Sequence, residues 1–101
     1  MHIKYCKGMV LIMKAVLTVV GQDKVGILAR VASCCAEYNV NVLEVSQSIL
    51  SELFCMVMVC DIEKMSVSFG DFADAMNKLG DEMGMSIHTM HEDIFNSMHR
   101  I

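Results

Sequence analysis

Val20-Gly21-Gln22-Asp23-Lys24-Val25-Gly26-Ile27-Leu28 is the stretch from which the fold of this chain can be read. An apolar run ends in it and a helical pattern starts in it, with two glycines and an Asp between. That reads as a strand, a short turn and a helix N-terminus. The first backbone N–H groups of a helix have no partner inside it, and the helix dipole favours negative charge there. A carboxylate or phosphate can dock on such a tip without a dedicated basic side chain. The pattern makes Asp23 the expected cap, reaching the N–H of Val25 or Gly26. Gly26 leaves room for a ligand or another backbone to approach. The same residues also fit a plain strand-to-helix turn with no ligand.

Upstream of that turn, Lys14 to Val20 alternates Ala15, Leu17 and Val19 with Val16, Thr18 and Val20. Both faces are largely apolar, as in a central strand covered on both sides. Residues 1–13 read as an extension, either an early start or a tag, because Met9 and Met13 each offer an alternative start. Lys4 and Lys7 precede the apolar run from Met9 to Met13, but no small-residue cleavage site follows, so a secretory signal is rejected. No apolar run reaches the ~18 residues of a membrane span, and a cytoplasmic location is expected.

Downstream, Ile27, Val31, Cys34, Cys35 and Tyr38 keep one stripe of a helix expected from about Lys24 to Tyr38, and Asn39 suits a left-handed stop. Asn41 to Leu50 alternates Leu43, Val45, Gln47 and Ile49 against Glu44, Ser46 and Ser48, as a half-exposed edge strand does. Leu53 to Ile62 is apolar at nearly every position and reads as the second central strand. Ser68 opens a second helix with Asp71 three residues on, a near capping box, and Gly84 closes it. Phe69, Phe72, Ala73, Met76, Leu79 and Met83 are its apolar stripe. Met85 to His91 is the fourth strand, and Glu92 to Ile101 reads as a short C-terminal helix.

The order βαββαβ predicts an α+β, ferredoxin-like sandwich: a four-stranded antiparallel sheet with two helices on one face. Strands one and three take the middle. The apolar far face, with Val16 and Val20, then needs another cover, and a second copy of the chain is the simplest one. The 54% hydrophobic content points the same way, being high for a domain of 101 residues.

Most chemistries are excluded or weak. The net charge is −4 with no Lys/Arg cluster, against nucleic-acid binding. The five cysteines include no CxxC and read as reduced, buried thiols rather than a disulfide framework. His88 and His91 are three apart on a strand and face opposite ways, so no metal and no cofactor is expected. His91, Glu92, Asp93 and His99 offer at most an adventitious divalent ion. Ser33, Ser46 and Ser48 have no evident His and acid partners for nucleophilic catalysis. The Met-rich set Met56, Met58, Met76 and Met83 falls at core spacings.

The run Gly21 to Leu28, followed after a single helix by Asn39-Val40-Asn41-Val42, resembles the ACT domain, a small regulatory module found on many amino-acid-metabolism enzymes. The ending His91-Glu92-Asp93-Ile94-Phe95-Asn96-Ser97-Met98-His99-Arg100-Ile101 is similar to that of a small stand-alone ACT protein family. The likeness covers Lys14 to Ile101. It implies non-catalytic binding of a small ligand, an amino acid by preference, near a homodimer interface, and regulation of a partner protein. The positions that match the family's ligand site are Asp23, Val25, Gly26, Ile27 and Leu28, with Asn39 and Asn41 as its polar positions at the start of strand two. Val25 departs from the Pro common there, and no catalytic domain stands beside the module in this sequence. A scaffold dimer without ligand is the alternative. An acylphosphatase-like enzyme ranks below it, because that chemistry needs an Arg in the first turn and Gly21–Leu28 has none.

Overall fold

The computed structural model describes residues 13–92. The extension 1–12 and most of the final helix expected over Glu92–Ile101 lie outside them. Six elements follow in order: β1 (Lys14–Gln22), α1 (Ile27–Glu37), β2 (Asn41–Leu50), β3 (Leu53–Asp61), α2 (Phe69–Met83) and β4 (Met85–His91). The strands form one antiparallel sheet in the order β2-β3-β1-β4. The two doubly apolar strands are thus central, as the alternation in the sequence requires.

The helices cover one face. Leu17, Val19, Met56, Met58 and Cys60 from the sheet close against Val31, Cys35, Phe72 and Met76 from the helices, and all nine are essentially inaccessible. Phe72 meets Tyr38 edge to face at 6.1 Å between ring centroids, which joins the two helices over the core. The four methionines assigned to the core are buried. Gly80 was not part of the apolar stripe, yet it is buried and lets α2 lie close on β4. A Cβ there would stand 2.7 Å from the Met85 carbonyl oxygen.

The start and stop of α2 follow the sequence pattern. Ser68 Oγ accepts a hydrogen bond from the Asp71 N–H at 3.1 Å, and Gly84 terminates the helix at φ 71°. Asn39 takes φ 62° after α1, as its type allows.

β2 differs from expectation. It was expected to be half exposed, but apart from half-buried Val42 every residue from Asn41 to Leu50 is exposed. α2 lies against β4, and β2 is the strand that α1 approaches most closely. A bulge between Val42 and Glu44 also shifts its pairing with β3. On the opposite sheet face, Val16 is 2% exposed while Val20 is 36% exposed, so that face is uneven in its exposure rather than uniformly bare.

Candidate functional site

β1 runs two residues beyond Val20, to Gln22, before the chain leaves the sheet. The Asp23 N–H donates to the Glu52 carbonyl at 3.1 Å, which fastens the turn to the β2–β3 hairpin. Lys24 reaches the other way: its Nζ donates to the Met83 carbonyl at 2.6 Å, at the C-terminal end of α2. A cation there satisfies a carbonyl that the helix leaves over and complements the negative end of the dipole. Between these two ties, Val25 projects fully into solvent.

The turn then corrects one expectation. Gly26, at φ 86° and ψ 10°, is the N-cap of α1, and among the described residues no side chain caps this helix. A residue with positive φ cannot sit inside a right-handed helix, so α1 starts at Ile27 and not at Lys24. Asp23 is therefore three residues too early to cap, and it lies exposed beside the tip. The glycine is required by its backbone angle rather than by crowding, because a Cβ there meets nothing within 4 Å.

The tip that results is anchored and open. Ile27 is 3% exposed and fixes it to the core, whereas Leu28 is 38% exposed. The first turn holds no acidic residue. Its first internal bond is Arg30 N–H to Gly26 carbonyl, at 3.0 Å. The N–H groups of Ile27, Leu28 and Ala29 precede that bond, and among the described residues no side chain accepts from them.

Asn39 and Asn41 lie at the other end of α1. The helix of 11 residues separates them from the turn, a span of about 16 Å. Within one chain the seven residues expected to form the ligand site fall into two groups. The Asn39 Nδ2 donates to the Lys64 carbonyl at 2.7 Å, and Asn41 pairs with Asp61 across β2 and β3. With Glu63 and Lys64 they line a cavity of about 340 Å³. Asp61, Glu63 and Lys64 were not read as neighbours of Asn39. The alternating Asp61-Ile62-Glu63-Lys64 that leaves β3 was the available signal.

A larger groove of about 840 Å³ runs between α1 and α2, bordered by Arg30, Ser33, Cys34, Tyr38, Lys78 and Glu82. Arg30 and Glu82 approach to 3.5 Å across it, both half exposed, and contribute little to stability. Burial pushes the Cys34 thiol up, with Cys35, Glu37 and Glu82 adding to the effect. Cys35 is raised as well, by its hydrogen bond with Cys60 and then by burial. Protonated thiols are poor nucleophiles and poor metal ligands.

His88 faces the open side of the sheet, its Nε2 3.3 Å from Ser86 Oγ, while His91 packs on the Phe69 ring. They point apart, as the strand spacing required. Among the described residues no cluster of three metal-binding side chains occurs. Among them, too, no helix is long and apolar enough to cross a membrane.

Comparison with known proteins places this arrangement. Residues 14–90 match the model of the ACT domain. A UPF0237 protein of Bifidobacterium longum is 46% identical over 87% of this chain and 98% of its own length. One from Methanopyrus kandleri is 41% identical over 87% and 98%. Among solved structures, an ACT domain protein from Streptococcus pneumoniae superposes with a TM-score of 0.73 at 33% identity, covering 83% of this chain and 94% of that one. A left-handed glycine, an uncapped helix tip and a βαββαβ sheet are thus carried by a chain that belongs to the ACT domain family.

Proposed function

We propose that this chain is a non-catalytic regulatory module of the cytoplasm that binds a free amino acid at the tip of α1 and works as a homodimer. The single observation behind this reading is the uncapped first turn of α1 beside the exposed Asp23. The N–H groups of Ile27, Leu28 and Ala29 would hold the ligand carboxylate, with Gly26 and Val25 shaping the approach. Asp23 would accept from the ligand ammonium. An amino acid is the smallest ligand that meets a donor cluster and an adjacent carboxylate at once.

Asn39 and Asn41 are too far along α1 to touch that ligand from the same chain. They join the site only if a second protomer brings its own pair to the turn, which ties binding to the homodimer. The regulated output is then a change in the surface that the dimer presents to a partner protein.

The ligand-free scaffold remains the second reading, supported by the exposed apolar side chains of β2. An acylphosphatase-like role has less support. Lys24 is the sole base between Gly21 and Leu28, and its ammonium is engaged at the far helix.

Thermal melting with each amino acid at millimolar concentration tests the reading. Ligand at 100 times its dissociation constant adds about 2.7 kcal/mol, a rise of several degrees at this chain length. Val25→Asp, at a fully exposed position, sets a fixed carboxylate beside the tip and should remove the shift while leaving the fold intact. A leucine at Gly26 is a poorer probe, because φ 86° would strain it regardless of ligand. No shift with any amino acid favours the scaffold.

A further inference from the structure

Val16 is buried on the sheet face that carries neither α1 nor α2. Ala15, Leu17 and Val19 of β1 belong to the helix-side core, so Val16, Thr18 and Val20 point to the opposite face. Val16 is nevertheless 2% exposed, and it is not one of the residues of the helix-side core.

Its neighbours within the sheet do not account for that. Val16 stands between Val59 and Met90, as Thr18 stands between Val57 and His88 and Val20 between Cys55 and Ser86. All three are flanked alike on a central strand. Yet Thr18 is only half-buried and Val20 is 36% exposed. Cover on this face therefore falls off along β1 from the end at Val16. That is the end at which β4 finishes. Met90 lies opposite Val16, and the backbone passes from strand into helix at Glu92.

We propose that residues 93–101 continue this helix back across the open face, over β1 toward β3, and seat Ile94, Phe95 and Met98 on the row formed by Met90, Val16 and Val59. The length suits the path. Ten residues of helix from Glu92 to Ile101 reach about 15 Å, and β4 to β3 is two strand spacings, about 10 Å. The pattern suits it as well. Ile94, Phe95, Met98 and Ile101 fall on one stripe of a helix, with Asp93, Asn96 and Arg100 opposite. A helix this short is marginal in water unless its apolar face is packed. The cover that a second copy was expected to give Val16 then comes from the chain itself. Residues 1–12 leave β1 at the same end, but Met9-Val10-Leu11-Ile12 would set apolar groups on every side of a helix and gives no single face to seat.

This inference needs no ligand and leaves the tip of α1 untouched, so it stands or falls apart from the proposed function. A ¹³C-edited NOE spectrum of the full, unliganded chain tests it. The Phe95 ring should show contacts to the Val16 and Val59 methyl groups. Those contacts should be absent from the isotope-filtered spectrum of a mixed labelled and unlabelled sample, because they lie within one chain. Contacts to Val16 from residues 1–12, contacts found only between chains, or no contact to Val16 from beyond the sheet would each overturn the proposal.

Melting gives the energetic counterpart. Phe95→Asp with Met98→Asp, in the full chain, should release the segment from the sheet. Val16→Ala should lower the melting temperature of the wild type by several degrees, and that of the released variant by about half as much or less. Val19→Ala, on the helix-side face, should lower both equally. Equal losses for Val16→Ala in the two backgrounds would overturn the proposal.

Discussion

α1 and α2 sit side by side on the same sheet, yet they begin in opposite ways. α2 opens on Ser68, whose hydroxyl satisfies the Asp71 N–H, and Asp71 adds a negative charge to the first turn. α1 opens on a left-handed glycine, with no capping side chain and no acid in its first turn. A cap contributes about 1 kcal/mol and an acid in the first turn several tenths more. α1 forgoes both. The difference teaches that α2 is closed by its own sequence, whereas the first donors of α1 meet no capping side chain among the described residues. Burial keeps both helices in place, so the open tip costs little that the core does not offset.

The largest effect that separates the two helices is in their anchors. Phe72→Ala, at an inaccessible site on α2, should cost ~3–5 kcal/mol in a denaturant melt. Leu28→Ala, on the half-open tip of α1, should cost under about 1 kcal/mol. Equal losses would mean that the α1 tip is packed rather than open.

Next comes backbone geometry. Gly26→Ala, at φ 86°, should cost about 1–2 kcal/mol although its methyl meets nothing. A neutral outcome would show that α1 can start without the left-handed residue.

The caps follow. Ser68→Ala should lose about 1 kcal/mol. Asp23→Ala should change stability by less than about 0.5 kcal/mol, because its side chain caps nothing. If Asp23→Ala costs as much as Ser68→Ala, the tip is capped after all and the contrast between the helices fails.

A loss of the same order as the Ser68 cap is expected at Lys24, which ties the turn to the C-terminal end of α2. Lys24→Met removes the bond to the Met83 carbonyl and should cost about 0.5–1 kcal/mol. That loss should shrink as salt is added, since it is electrostatic. A salt-independent loss would assign Lys24 a packing role instead.

How far the sequence carried can be argued from particular residues. The central places of β1 and β3 were legible because apolar residues on both faces of a strand have no other home. Ser68, Asp71, Gly84 and Asn39 were legible because caps and left-handed stops are local chemistry. Asp23 misled for an equally local reason: an Asp before a helical pattern looks like a cap, but the positive φ of Gly26 delays the helix by a turn. The exposure of β2 was out of reach, since alternation says which residues share a face and not how far two helices extend over it. The split between the turn and Asn39–Asn41 was implicit in the helix read between them. Both flank one helix in sequence and share one family pattern, which drew them together although the helix between them holds them at its opposite ends.

The central claim is that the first turn of α1 binds a carboxylate, and backbone amide resonances report on it most directly. In a ¹⁵N–¹H titration of the folded chain with each amino acid at millimolar concentration, at least one should move Gly26, Ile27, Leu28 and Ala29 in a saturable way. Gly70 and Asp71, at the closed start of α2, should stay still under the same ligand. Amides of the α1 tip that do not move with any amino acid, or that move no more than those of α2, would contradict the account.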